Sequence, residues 1–174
     1  IIILKKLKKA GCIGLGYSLE SGNMDILKSM NKRLKVEDFI NQKKALDLVE
    51  IKTFTSLVLG YPQETINTLK QTFDICYELN VYPSAGYLLP QPKTPMYEIA
   101  KEKGVIKEDD EEYLLKMGDR QDLRINLTDI PDDIFEAEVK IHLQRISDKL
   151  NLGLNEQTLI KTGTFLLSKE GEKE

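Results

Sequence analysis

Along this chain apolar residues keep two rhythms: short unbroken runs, and longer stretches in which they return every three or four positions. Three runs stand out, over residues 13–19, 52–60 and 84–89. Each closes in glycine, proline and polar residues, which is how a buried strand empties into its loop. The first, Gly14-Leu15-Gly16-Tyr17-Ser18-Leu19, ends in Glu20-Ser21-Gly22. The second carries Leu57-Val58-Leu59 before Gly60-Tyr61-Pro62-Gln63-Glu64. That continuous apolarity predicts a parallel strand covered on both faces. The third ends in the proline-punctuated Leu89-Pro90-Gln91-Pro92.

Between the runs the helical rhythm takes over. Ile3, Leu4, Leu7 and Ala10 lead to Gly11, the pattern of an amphipathic helix closed by a glycine cap. A short helix is expected over residues 24–30, and a longer one over 36–49 with Val36, Phe39, Ile40, Leu46 and Val49 facing the core. Thr65 is placed to cap the next helix, along which Ile66, Leu69, Phe73 and Cys76 recur until Asn80 closes it. Residues 97–103 predict a short helix stopped by Gly104. Helices and strands in strict alternation predict an α/β fold of βα units with right-handed crossovers.

From residue 105 the rhythm changes. Residues 107–112 read as an acidic, solvated stretch, and residues 123–127 are the one remaining strand candidate. A long helix is expected over residues 131–150, with Pro131 in its first turn and Phe135, Val139, Leu143, Ile146 and Leu150 on one stripe. Residues 168–174 are mostly charged and expected to fray. The chain thus divides into a βα part, 1–104, and a mainly helical extension, 105–174.

Composition narrows the function classes. A length of 174 residues allows one sizeable core, and from a start of Ile1-Ile2-Ile3 without methionine an internal piece of a longer protein is expected. The net charge is −3 with the signs interspersed, so neither a nucleic-acid partner nor a membrane is expected. Two cysteines, Cys12 and Cys76, build no disulfide framework and are too far apart for a metal pair, which points to a cytoplasmic protein. Cys12 reads as a small buried hydrophobe, and the single histidine, His142, as structural or surface. Gly14 and Gly16 do not open a dinucleotide loop, because Leu19 stands where the third glycine is needed.

The candidate chemistry sits at the strand ends, where parallel α/β folds keep their sites. Glu20 is weighed as a functional carboxylate because Ser21 and Gly22 share its strand end; the competing reading is an ion pair with Lys32 or Arg33. Glu64 divides evenly between a rim role and a place in the first turn of the following helix.

Three motifs in order carry a family likeness. Leu19-Glu20-Ser21-Gly22 with Met30-Asn31-Lys32, then residues 58–65, then Leu89-Pro90-Gln91-Pro92-Lys93-Thr94-Pro95-Met96-Tyr97-Glu98, resemble the second half of a radical S-adenosylmethionine (SAM) enzyme. The spacing is similar to the branch that usually carries an N-terminal cobalamin-binding domain, and Ile125-Asn126-Leu127-Thr128 with the helix after it looks like that branch's C-terminal section. The resemblance implies strands four to six of an incomplete (β/α) barrel, a partial TIM barrel, followed by a helical C-terminal region. It implies that Glu20 and Ser21 contact the methionyl or ribose part of SAM. It also implies that Ser56, Val58, Gly60 and Glu64 form the strand whose backbone packs on adenine, and that Leu89 and Pro90 form the adenine edge. Ser56 and Lys93 each stand where the family commonly has glycine; at Lys93 a glycine can take a positive φ that lysine resists.

The family's [4Fe-4S] cluster is held by CxxxCxxC, and no such run exists in this chain. The implied cofactors are therefore SAM, bound weakly or not at all by this part alone, with the cluster in the parent only, and cobalamin too where the parent carries that branch's N-terminal domain. In that parent the cluster would reduce SAM and a 5′-deoxyadenosyl radical would abstract substrate hydrogen. The chain itself is expected to be inactive, with catalytic residues none and metal ligands none. The implied partner is the missing N-terminal half of the barrel. The alternative is a non-catalytic α/β binding or dimerisation module, with a homodimer formed through the exposed edge at residues 13–19.

Overall fold

The computed structural model describes residues 1–117, 124–156 and 158–160. Its elements are α1 (Ile2–Lys9), β1 (Gly14–Gly16), α2 (Met24–Ser29), α3 (Val36–Asp47), β2 (Lys52–Leu59), α4 (Ile66–Glu78), β3 (Pro83–Tyr87), α5 (Pro95–Glu102), α6 (Glu111–Lys116) and α7 (Asp132–Leu150). The three strands form one parallel sheet in the order β1-β2-β3, so the fold is mixed α/β as the alternation predicts. Gly16 pairs with Phe54, and Leu57 with Ala85. Parallel pairing puts all three C-terminal ends at one rim.

Alternation along β2 decides how the sheet is covered. Leu57 and Leu59 are fully buried and join Leu69, Phe73 and Cys76 of α4 with Phe135, Val139, Leu143 and Ile146 of α7 in the main core. Phe54, Ser56 and Val58 point the other way and are only half-buried. Cover is therefore complete on one face only: α4 and α7 seal the face of Leu57 and Leu59, while the opposite face keeps Ser56, Ser84 and Gly86 partly open and packs half-buried Val58 on a second cluster that includes Ile26 and Tyr97.

The first run is shorter as a strand than its apolarity predicts. Only Gly14–Gly16 run in ladder with β2, and Glu20 then returns to bridge Leu57. Four steps from Gly16 to Glu20 face three from Phe54 to Leu57, so the β1 side holds one extra residue, a bulge. Within it the Leu19 N–H donates to Thr55 Oγ1 at 2.9 Å instead of to a strand carbonyl. Leu19 is 2 % exposed and belongs to the main core, which removes it from the open edge expected over residues 13–19.

Helix ends follow the sequence signals. Thr65 caps α4 in a reciprocal box with Thr68, Asn80 takes φ 54° after it, Gly11 φ 92° after α1 and Gly104 φ 70° after α5. The α1 stripe is only half used: Leu4 packs on the cluster of Leu46, Val49 and Ile51, while Ile3 is 72 % exposed. Residues 107–112 are exposed apart from half-buried Asp110, as their acidic composition predicts. They run into α6, whose Tyr113 is buried and donates to the Pro90 carbonyl at 2.5 Å. Of the strand candidate at 123–127, Leu123 lies outside the described residues, Ile125 makes one antiparallel bridge to Leu88, and the Leu127 N–H donates to Gly60 O at 2.9 Å. The second core cluster joins Tyr61, Leu88, Tyr97 and Ala100 to Ile106, Tyr113, Ile125 and Leu127. Residues 168–174 lie outside the described residues. Among the described residues no helix is long and apolar enough to cross a membrane.

Candidate functional site

The rim at the strand ends gathers the residues that sequence reasoning selected, but gives them different work. Glu20 reaches the rim through the bulge. Its φ of 63° lies in the left-handed region, an uncommon place for a side chain other than Asn or Asp. The backbone is held there by two ladder bonds, Glu20 N–H to Ser56 O at 3.0 Å and Val58 N–H to Glu20 O at 2.9 Å. The carboxylate then meets the Lys32 ammonium at 3.1 Å, with the Glu20 side chain 13 % and the Lys32 side chain 43 % exposed. Lys32 follows α2, whose chain reversal is fixed by Asn31 at φ 53° and by the Lys32 N–H to Leu27 O bond at 2.9 Å.

Ser21, one residue on, is 1 % exposed and turns away from the rim toward Thr72 of α4. Ser56 lies on the open face, its Oγ 2.5 Å from Ser18 Oγ. Val58 lies on the same face. Leu89 is half-buried, and Pro90 is buried with its carbonyl tied to Tyr113. Lys93 adopts φ 68°, so the loop keeps the turn that a glycine would make easily.

Glu64 is 2 % exposed and points inward. Its Oε2 accepts the Gly60 N–H at 2.8 Å, and the Tyr61 N–H also faces the carboxylate. Oε1 has no hydrogen-bond partner among the described residues. Burial pushes this carboxyl up from 4.5 to about 7, more than the two backbone donors lower it. Glu64 thus holds the turn after β2. Gly60 has φ 86°, and a Cβ there would lie 2.4 Å from the Ile125 carbonyl oxygen. The segment around Ile125 therefore lies directly over the end of β2.

Other titratable groups stand apart from the rim. His142 is buried, stacks on Phe73 at 5.1 Å, and is held below its ordinary pKa by burial, a structural role. Cys76 is fully buried and its thiol is pushed up to about 12, while Cys12 is half-buried at the start of β1. Among the described residues no group of three or more His, Cys, Asp or Glu side chains could hold a metal ion. The residue sequence reasoning missed is Thr72, hidden as one polar member of the apolar stripe of α4.

Comparison with known proteins gives a partial likeness. No protein-family model matches the chain. Over 94 residues it is 27 % identical to the tRNA-2-methylthio-N(6)-dimethylallyladenosine synthase of Clostridium tetani, covering 52 % of this chain and 21 % of that protein. Over 99 residues it is 24 % identical to an uncharacterized methyltransferase of Pyrococcus horikoshii, covering 56 % of this chain and 22 % of that one. The chain matches about a fifth of the length of these curated relatives.

Proposed function

We propose that this chain is part of a radical SAM enzyme, forming strands four to six of a partial barrel over residues 1–104 and a helical extension over 105–174. The observation that carries the reading is the Glu20–Lys32 pair at the rim of a parallel sheet. The likeness to a tRNA-modifying synthase supports it from outside the structure. An amino-acid head group bears one ammonium and one carboxylate, and the rim offers one of each in reversed order. Glu20 would take the ammonium of SAM and Lys32 its carboxylate, each exchanging one partner for another without leaving a charge unpaired.

SAM bound there would supply a sulfonium centre for one-electron chemistry, with the electron coming from a cluster held elsewhere in the protein. The residues present bind and orient. Ser56 and Val58 give adenine a half-buried face beside the β2 backbone, Leu89 and Pro90 close its edge, and Glu64 holds Gly60 and Tyr61 in place behind it. Ser21 serves the site through the backbone, since its hydroxyl faces α4. The two cysteines do not fit an iron–sulfur cluster: Cys76 is sealed on α4, and Cys12 lies at the strand start, opposite the rim. A cluster would be held by another part of the protein, and cobalamin is not part of the proposal.

S-adenosylhomocysteine tests the reading by calorimetric titration. Weak binding is expected, lowered about five-fold by Glu20→Ala and unaffected by Lys116→Ala, a change at an exposed i,i+4 pair on α6. Equal effects from the two would reduce Glu20 to a surface ion pair. A second reading, a dimerisation module, draws on the outer edge of β1, unpaired among the described strands, beside Ile13, which is 70 % exposed. Sedimentation showing a two-fold dimer with no ligand binding favours that reading.

A further inference from the structure

The loop that carries Glu20 is held from behind. After Glu20 the chain turns onto α4, where Thr72 is completely buried. The Thr72 hydroxyl donates to the Thr68 carbonyl at 2.9 Å, so its one proton is committed and its oxygen is free only to accept. It accepts the Gly22 N–H at 2.8 Å and lies 3.5 Å from Ser21 Oγ, which fixes the Ser21 hydroxyl as the donor of that contact. The Ser21 oxygen in turn accepts the Asn23 N–H at 3.2 Å. Contact between loop and helix is so close that a Cβ on Gly22 would lie 2.6 Å from Thr72 Cα.

The same chain of bonds reaches Lys32. The Asn23 side chain caps α2 by accepting from the Asp25 and Ile26 N–H groups at 3.0 and 3.1 Å, and donates to Gln71 of α4 at 2.9 Å. Lys32 then follows α2 and faces Glu20. Both members of the ion pair are thereby referenced to one turn of α4. A buried hydroxyl among Leu69, Phe73 and Cys76 is costly unless it is bonded. An isosteric valine would bury well but leave the Gly22 N–H without its acceptor.

We infer that Thr72 is the positioning residue of the Glu20–Lys32 site, fixing from the buried side of α4 the loop that presents Glu20 at positive φ. As a statement about ligand binding it rests on the SAM reading above; as a statement about the loop it stands alone.

The test compares Thr72→Val with Thr72→Ser in the full chain by amide hydrogen exchange and by titration with S-adenosylhomocysteine. Valine is expected to speed exchange at the Glu20 and Val58 amides about ten-fold, roughly one hydrogen bond's worth of local opening, and to weaken binding about five-fold. Serine, which keeps the hydroxyl, is expected to restore both. In a Glu20→Gln background valine should weaken binding by less than in the unaltered chain, because its effect passes chiefly through Glu20. Unchanged protection of those two amides in the valine variant, or an equal loss in the serine variant, overturns the inference. An additive loss of binding in the Glu20→Gln background overturns it as well. Absence of ligand binding by the unaltered chain removes the SAM reading while the exchange result still decides the role of Thr72. Should the valine variant not fold, Thr72→Ala removes the same hydroxyl without added bulk, and unchanged exchange at Glu20 there refutes the inference.

Discussion

Glu20 and Glu64 both follow parallel strands, and at the level of sequence they send the same signal. In the molecule they are opposites. Glu20 stands on a bulge at φ 63° with its carboxylate on Lys32, partly open to the rim. Glu64 is 2 % exposed and spends one oxygen on the Gly60 N–H while the other finds no partner among the described residues. A carboxylate that reaches the rim can exchange its partner for a ligand. One that faces its own turn stiffens the platform on which a ligand would lie. The comparison separates contact from support, and it can be attacked from either side.

The largest effect is expected where the support is tightest. Gly60→Ala places a methyl 2.4 Å from the Ile125 carbonyl oxygen at φ 86°, and should cost about 3 kcal/mol or more in urea unfolding. Glu20→Gly loses the ion pair but relieves a left-handed backbone, so its net change should stay within about 1 kcal/mol. Similar losses from the two would erase the distinction between the strand ends.

A nearly equal effect is expected from pH. Burial raises the Glu64 carboxyl from 4.5 to about 7, so the folded chain holds this proton more tightly than the unfolded one. This group's contribution is complete below about 4.5, falls as pH rises toward about 7, and levels beyond it. The shift corresponds to roughly 3 kcal/mol over that window. Glu64→Gln keeps an oxygen for the Gly60 N–H and removes the titration, so its unfolding midpoint should lose that slope between pH 5 and 7. An unchanged slope assigns the pH dependence to other groups.

The fold was legible where the sequence signal is local. Thr65, Asn80, Gly11 and Gly104 mark helix ends by their own chemistry, and the three apolar runs mark strands whose parallel order follows from the helices between them. The bulge was not legible, because Tyr17-Ser18-Leu19 continues an apolar run while the chain leaves the ladder; the decision is made by Leu19 entering a core built mostly from α4 and α7. For a related reason the unequal cover of Leu57 and Val58 was not legible. Continuous apolarity does not say which face the helices cover. Tyr113 directly follows a charged stretch, and the cluster that buries it, with the Pro90 carbonyl its hydroxyl meets, lies mostly ten or more residues away in sequence. At the site, Glu20 was found because a carboxylate closes an apolar run. Thr72 was passed over because one hydroxyl in an apolar stripe looks the same whether it supports a loop or merely bonds its own helix.

The smallest expected effect is also the one that asks most of Glu20. Its pair with Lys32 joins a side chain 13 % exposed to one 43 % exposed, a geometry in which solvent screening leaves little net stabilisation. A double-mutant cycle with Glu20→Gln and Lys32→Met should therefore give a coupling of about 0.5 kcal/mol in unfolding. The same cycle read on S-adenosylhomocysteine affinity should give a larger coupling, because each partner would hold one charge of the ligand's head group and each single change would leave one of those charges unmet. The two readouts together decide whether the pair is a clamp or a strut. A coupling above about 2 kcal/mol in stability, with none in binding, would make Glu20 a structural carboxylate like Glu64 and leave the rim without its ligand contact.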